Sequence, residues 1–572
     1  MLLVHARRDP RSRFSGYLAE ILAMEGFGEV AAVDIDDLDD GALANAGLIV
    51  LPRVSLTAQE ASRLVDFVAQ GGKLLALHPD PYLGNRFGLR PAQRATAVGA
   101  GHLWIDADEP ATAGLCTEAV QIVAPAVVWD TGDGESVSVL ARVRDATDPA
   151  IDAPGVVRVA RGRGEAIFVA YDLAYAVSRL RQGDPAYADL SLSGMDHFIR
   201  PHELFVNQLP ARRQWLPQAD VQTALLARLI EVLEPQPRFW YYPEASQRSV
   251  LVMTSDDDWS TLDQFETLLG GLEKRDATCS FYMVKDTRVT ASLMSDWERA
   301  GHTFSVHPAV AGDYGAGPPV DAAQPTFAAQ MVRANVERHR REFDRPVRTA
   351  RNHAIRWLGY VDMARVYADL GIRLECNYVS VHPLVIGHLC GTGRPLPFVD
   401  TGGSLIDCYQ QPTHWTEEAL VHPRHPGGAH WQYERAIRET DRLIEGAART
   451  FYTPICLNSH PVSFATYSSP LIEANWDKAR AEGMPILSAD RWLDWTAARR
   501  ALRLETRADG WTLHSPCAVP AATVLLPGDS VPSAEGADAS SQVLWGRNYL
   551  ALTCRDLGEG ERRSIRQGAA PK

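Results

Sequence analysis

The sequence predicts a multidomain α/β protein, and three observations carry that reading. The chain has 572 residues, more than one core holds at the usual ~100–200 residues per domain. Apolar residues make up 46% and charged residues 22%, an ordinary globular mixture that excludes wholesale disorder. Short apolar runs alternate with helical periodicity over 1–80 and again over 249–500, the pattern of parallel sheets linked by helices. The expected arrangement is an N-terminal α/β domain over 1–240 with a mostly β insertion at 98–170, a distorted (β/α)7 barrel over 241–500, and a small β domain over 501–572.

In chain order, MLLVHA, EVAAVDI, AGLIVLP and KLLALH read as strands. SGYLAEILAMEG and SLTAQEASRLVDFVAQGG read as helices, the second opened by Ser55 as N-cap and closed by Gly71 and Gly72. The insertion carries short alternating runs such as VQIVAPAVVW, SVSVLARV and GVVRVARG. Residues 171–248 read as helices and connections, ending in the Pro-rich stretch LEPQPRFWYYPEASQ, expected to be a linker. The central region holds seven strand segments, SVLVMT, TCSFYMV, HTFSVHP, VRTARNH, IRLECNY, FYTPICLNSHP and MPILS, mostly separated by helical periodicity. WTLHS, TVLLPG, QVLWG and YLALTC, with Gly and Pro between them, make the C-terminal part β.

Charge and cysteine usage exclude several classes. Lys plus Arg number 57 against 71 Asp plus Glu, a net charge of −14 with no basic run, which disfavours nucleic acid and anionic membranes as partners. No stretch approaches the ~20 apolar residues of a transmembrane segment. MLLVHARRDP has neither the apolar run nor the cleavage site of a signal peptide, so a cytoplasmic location is expected. The eight cysteines are scattered and form no CxxC, which suits a reducing compartment.

Polar clusters stand where the central strands end. In a parallel barrel those ends share one mouth, so residues distant in sequence converge there. The clusters are Asp256-Asp257-Asp258, His307, Arg351-Asn352-His353, and His460 with Asn458, Ser459 and Ser463. Three adjacent carboxylates repel one another and resist burial. Two readings stand open for them: a solvated turn in which Asp258 or Ser260 caps a helix, or a cation site. A carboxylate with two neutral imidazoles makes a three-ligand site for a divalent metal with an open position for water. A second, unbound carboxylate takes the water proton, and a separate imidazolium protonates a departing amine. Arg351 is placed to orient the base.

Two resemblances follow from these residues. GGKLLALHPD puts His78 where the class I glutamine-amidotransferase-like fold, particularly its ThuA-like members, carries a nucleophilic Cys. Residues 1–80 resemble that fold without its nucleophile, which implies no glutaminase chemistry and a structural role for His78. TSDDD from Thr254, GHTFSVHP from Gly301, Arg351-Asn352-His353 and CLNSHP resemble the motifs of a divergent NodB-type polysaccharide deacetylase. The resemblance implies Asp256 as catalytic base, Asp257 and His307 as metal ligands and His460 as general acid, with Arg351 on the base. The family's second metal histidine falls at position 311, which is Ala, and His353 stands where the family has Pro. His353 is therefore expected to supply the missing ligand. The metal is expected to be a single divalent ion, zinc first, with cobalt, nickel or manganese also suiting N/O donors. Bacterial NodB-like proteins with an amidotransferase-like domain in front share this order of domains. In that setting 98–170 is either an accessory glycan-binding element or scaffold.

Asp258, Trp259, Trp357, Tyr409 and Trp415 are the expected substrate-binding residues, with Tyr360 and Trp431 as further stacking candidates. Three functions compete: N-deacetylation of an amino sugar in a glycan or glycoside, hydrolysis of a small non-sugar amide, and metal-free carbohydrate binding by a pseudoenzyme. The first two make the partner a carbohydrate or a small amide.

Overall fold

The computed structural model describes the chain except for residues 29, 97–100, 131–136, 192–197, 207, 209–213, 311–326, 382–383, 508–509, 529–533, 536 and 568–572. Position 311 therefore lies outside the described residues. The architecture is mixed α/β, built on separate sheets. The N-terminal sheet has nine strands in the order Ala31–Asp34, Leu2–His5, Leu48–Leu51, Lys73–Leu77, Gly164–Val169, Asp152–Arg161, Val137–Asp145, Gly101–Ile105 and Val120–Ile122. The first five are parallel and the rest antiparallel. The β-rich stretch at 98–170 thus extends the same sheet through Gly164–Val169, which returns beside Lys73–Leu77. Helix Ala58–Ala69 starts in a capping box of Thr57 and Glu60, satisfying its first free N–H groups. Ser55, expected as the cap, instead donates its N–H and hydroxyl to Asp9 Oδ2 and so ties two strand-end loops together.

The central sheet has ten strands. Each of the seven expected segments contains one: Leu251–Asp256, Ser280–Met283, Thr303–Val306, Thr349–Ala350, Leu374–Glu375, Ile455–Ser459 and Ile486–Ser488. Leu405–Gln410 adds a further parallel strand whose polar alternation hides it in the sequence. The sheet curls, and 411–416 bridges its two ends. Thr413 exchanges backbone hydrogen bonds with Tyr378 and Ser380, while Trp415 and Thr416 pair with Leu457 and Asn458. Four-residue or shorter strands suffice here because both faces are buried.

The stretch 233–247 is no free linker. Arg238–Phe239 pairs with Val519–Pro527 of the C-terminal β region, and Trp240, Tyr241 and Tyr242 are buried in the largest core. Four consecutive aromatic residues bury too much apolar area to stay in water, and that outweighs the flanking prolines. Beneath them Glu25 and Glu231 pair with Arg238, and Glu25 also pairs with Arg394, an ion cluster in which every side chain is buried.

The base of the curled sheet is pinned by one carboxylate. Buried Asp490 Oδ2 accepts from the hydroxyls of Ser280 at 2.9 Å, Thr303 at 3.0 Å and Thr349 at 3.0 Å, one from each of three adjacent strands. Asp490→Ala strands those hydroxyls in a buried site and is expected to cost about 2–3 kcal/mol, read as a lower denaturant midpoint at unchanged m-value.

Candidate functional site

The strand Leu251–Asp256 pairs in register with Ile455–Ser459, Thr254 opposite Asn458. Side chains alternate along a strand, so Thr254, Asp256 and Asn458 share one face. Arg351 follows Thr349–Ala350 and drives its guanidinium into the centre of that face. Its Nη1 donates to Asp256 Oδ1 at 3.1 Å, to Thr254 Oγ1 at 2.9 Å and to Asn458 Oδ1. Its Nε donates to the Cys376 carbonyl at 2.9 Å and its Nη2 to Thr413 Oγ1 at 2.7 Å. Asn458 Nδ2 donates to the other Asp256 oxygen at 2.9 Å. Asp256 is thus clamped on both oxygens by strands from both sides of the sheet.

The chain turns sharply past Asp256. Asp258 and Trp259 take φ of 41° and 57°, a left-handed geometry that costs a non-glycine residue of order 1 kcal/mol or more. The turn separates the three carboxylates. Asp257 N–H donates to the Tyr282 carbonyl at 2.9 Å, and its side chain is fully buried, facing Thr287 and the Val284 backbone rather than the imidazoles. Burial pushes the Asp257 carboxyl up to about 7. Asp258 swings among the imidazoles, with Oδ1 3.3 Å from His307 Nε2 and Oδ2 3.6 Å from His460 Nε2. Burial opposes its ionisation, yet the His307 and His460 imidazoles outweigh that and hold its carboxyl below the usual range.

Both imidazoles are oriented from behind. His307 Nδ1 lies 2.7 Å from the Arg351 carbonyl, which can only accept, so Nδ1 carries the proton. A neutral His307 then aims the lone pair of Nε2 at Asp258 Oδ1, itself buried without a hydrogen bond. Two acceptors at that separation require a proton or a cation between them. Burial disfavours the His307 imidazolium, but Asp256 and Asp258 raise its pKa overall. His460 Nδ1 donates to Glu417 Oε1 at 2.8 Å, leaving Nε2 turned to Asp258 and, at 3.8 Å, to Asp256 Oδ2. Burial lowers and Glu418, Glu417 and Asp258 raise the His460 pKa, and the carboxylates win by a wide margin. Glu418 is itself pushed up to about 7, mainly by burial.

His353 stands edge-on to His307 with ring centroids 5.5 Å apart, and edge-on to Trp259 at 5.5 Å. Its N–H donates to the Pro308 carbonyl, tying the two histidine loops, and Ala354 and Ile355 after it are again left-handed. The expected trio of Asp257, His307 and His353 is not gathered: no Asp257 oxygen lies within ion-pair distance of either imidazole, and Asp258 takes that place. Among the described residues, no three His, Cys, Asp or Glu side chains are arranged to hold a metal ion. The donor chemistry at Asp258 and His307 suits either occupant of the gap between them: a proton on His307 Nε2, or a cation that takes the place of that proton.

Of the expected substrate-binding residues, Asp258 and Trp259 are at the site. Trp357 and Trp415 are not wall residues, being 1% and 0% exposed in hydrophobic cores. Tyr409 lines a cavity together with Tyr241 and Trp492, away from the polar site. Tyr360 is likewise in the core, and Trp431 is half-buried under Arg435. Large aromatics gain more from core burial than from a solvated platform. Glu417 was not legible. It follows Thr416, which caps the short helix Glu417–Val421, so TEEA reads as an ordinary helix start. Only the crossing of 411–416 to the His460 strand turns Glu417 inward.

No family model matches this chain, and no curated protein does. Among solved structures, the carbohydrate deacetylase Agd3 aligns over 100% of this chain and 99% of its own at 10% identity, with a TM-score of 0.42. A candidate polysaccharide deacetylase from Mycobacterium smegmatis aligns over 48% of this chain and 100% of its own at 14% identity and TM-score 0.35. A candidate polysaccharide deacetylase of O-antigen biosynthesis from Bordetella bronchiseptica aligns over 44% and 92% at 14% identity and TM-score 0.25. These scores are too low to establish a shared fold.

Arg351→Met removes the guanidinium paired with buried Asp256 and is expected to destabilise the fold by about 3–5 kcal/mol, measured by urea unfolding. The His460–Glu417 pair has its own pH signature. A raised histidine pKa gives stability that is full below the ordinary 6.5 and is lost as pH rises through the higher folded value. Glu417→Gln should therefore destabilise most at neutral and acid pH, with the gap to wild type closing at alkaline pH.

Proposed function

We propose that the curled sheet carries an amide hydrolase whose substrate is an N-acetylated amino sugar. The observation that supports this reading is a base and an acid facing the same space: Asp256, clamped by Arg351 and Asn458, and His460, whose Nε2 lies 3.8 Å from Asp256 Oδ2. Asp256 takes the proton of the attacking water as oxygen adds to the carbonyl carbon. His460 gives its Nε2 proton to the nitrogen as the C–N bond breaks, releasing amine and carboxylate. Glu417 holds His460 in the tautomer and charge state that this step needs. Trp259 offers the half-buried aromatic face on which a sugar ring would stack.

A divalent ion, zinc first, would be held at Asp258 and His307 with His353 beside them, and would supply Lewis acidity and a water of lowered pKa. Asp258 replaces Asp257 in that role because it is the carboxylate that meets the imidazoles. A second reading, hydrolysis of a small non-sugar amide, draws on the burial of Trp357, Tyr409 and Trp415, which leaves a narrower aromatic wall among the described residues than a polysaccharide cleft would have.

Acetate release from chitooligosaccharides is the deciding assay, run beside cyclic and linear amides. Asp256→Asn and His460→Gln should each cut turnover by about 10²–10⁴-fold while circular dichroism stays native. Release from no amide substrate, with wild-type protein folded, would sink the proposal. Glu417→Gln should move the alkaline limb of the rate profile to lower pH, since losing the anion lowers the His460 pKa. Elemental analysis should find one divalent ion per chain, lost in His307→Ala. Its absence together with retained sugar binding would favour the pseudoenzyme.

A further inference from the structure

A cavity lies beside the N-terminal sheet, apart from the curled sheet. The strand order there changes direction between Leu2–His5 and Leu48–Leu51: the chain steps outward to Ala31–Asp34 and then crosses to the other side. In open parallel sheets, ligands bind beyond the carboxyl ends of strands at such a switch point. The cavity, of about 180 Å³, lies next to that point, beyond the carboxyl ends of Leu48–Leu51 and Lys73–Leu77, and is slightly larger than the ~150 Å³ that takes a benzene ring.

Its walls are mostly apolar, with Val54, Leu89 and Trp129 among them, and its polar groups are Arg11, Arg53, His78 and Asp80. Three carboxylates lie nearby, each with partners of its own. Asp172, whose ionisation the Arg53 charge favours, is buried and accepts from Tyr175 N–H. Asp80 Oδ1 caps the following helix through Tyr82 N–H, and Asp9 accepts from Ser55 and Arg11. Arg53 has no hydrogen bond or ion pair among the described residues. His78 is held with φ at 48° at the end of Lys73–Leu77, its N–H bonded to the Val169 carbonyl. Burial lowers its pKa to about 4, with Arg53 and Arg11 adding to the effect, so it is a neutral hydrogen-bonding group beside two cations.

We propose that this cavity binds a small organic carboxylate, its anionic head on the Arg53 guanidinium and its carbon skeleton against Trp129 and the apolar wall. A planar carboxylate matches the guanidinium fork, and the apolar lining suits a ring or chain better than a bare inorganic anion. His78 completes the head-group contacts.

Titration calorimetry on the full chain tests it, with benzoate, cyclohexanecarboxylate and glucuronate as probes and benzamide and inorganic phosphate as comparators. At least one carboxylate should bind saturably at one site per chain, about tenfold or more tighter than benzamide or phosphate, and about tenfold or more weaker in Arg53→Gln. Should Arg53→Gln not fold, Arg53→Lys, which keeps the charge and loses the fork, takes its place. Asp256→Asn should bind the carboxylate as wild type does, which separates this pocket from the hydrolytic site. No saturable binding by any of the three carboxylates, equal binding of benzamide or phosphate, or undiminished binding in the Arg53 variant overturns the proposal.

Discussion

The buried guanidinium of Arg351 is the contact on which the site depends. It is 1% exposed and reaches Thr254, Asp256, Cys376, Thr413 and Asn458. Those residues come from the strand Leu251–Asp256, the turn after Leu374–Glu375, the crossing at 411–416, and the strand that precedes His460. A desolvated cation is unfavourable unless its donors are satisfied, so the geometry that satisfies all of them is strongly selected. That requirement places Asp256 against Asn458. The Arg351 carbonyl, on the same residue, sets the His307 tautomer. One residue thus positions the base with its side chain and an imidazole with its backbone.

The three aspartates show how environment divides identical side chains. Asp256 meets a guanidinium, Asp257 is buried beside Thr287, and Asp258 meets imidazoles. The division is made by backbone geometry, since two left-handed residues in succession turn Asp258 back over the sheet. A similar left-handed pair follows His353. Strain of this kind persists only where surrounding packing overdetermines it, and here it flanks the groups that face one another.

The polar site rests on a rigid base. Below it, Asp490 ties three strands through their hydroxyls, and above it Glu417 anchors His460. The aromatic segment 238–242 and its buried ion cluster join the N-terminal sheet, the curled sheet and the C-terminal β region into a shared core. The polar site and the N-terminal cavity therefore sit on separate sheets of one packed molecule.

Strand placement was readable because apolar runs ending in polar residues report burial directly, and all seven expected segments hold a strand. Asp256, Arg351, His307 and His460 were readable for the same reason, as polar residues at strand ends. The aromatic wall was not. Trp357, Tyr409 and Trp415 look alike in composition whether they line a cleft or fill a core, and neighbours distant in sequence decide which. Asp257 and Asp258 are likewise equivalent in a string of letters. Local hydrophobic pattern and residue chemistry suffice to say which strands form and which groups meet at their ends. The hand of a turn and the crossing of 411–416 decide which oxygen faces which nitrogen, because those depend on long-range packing that no short window contains.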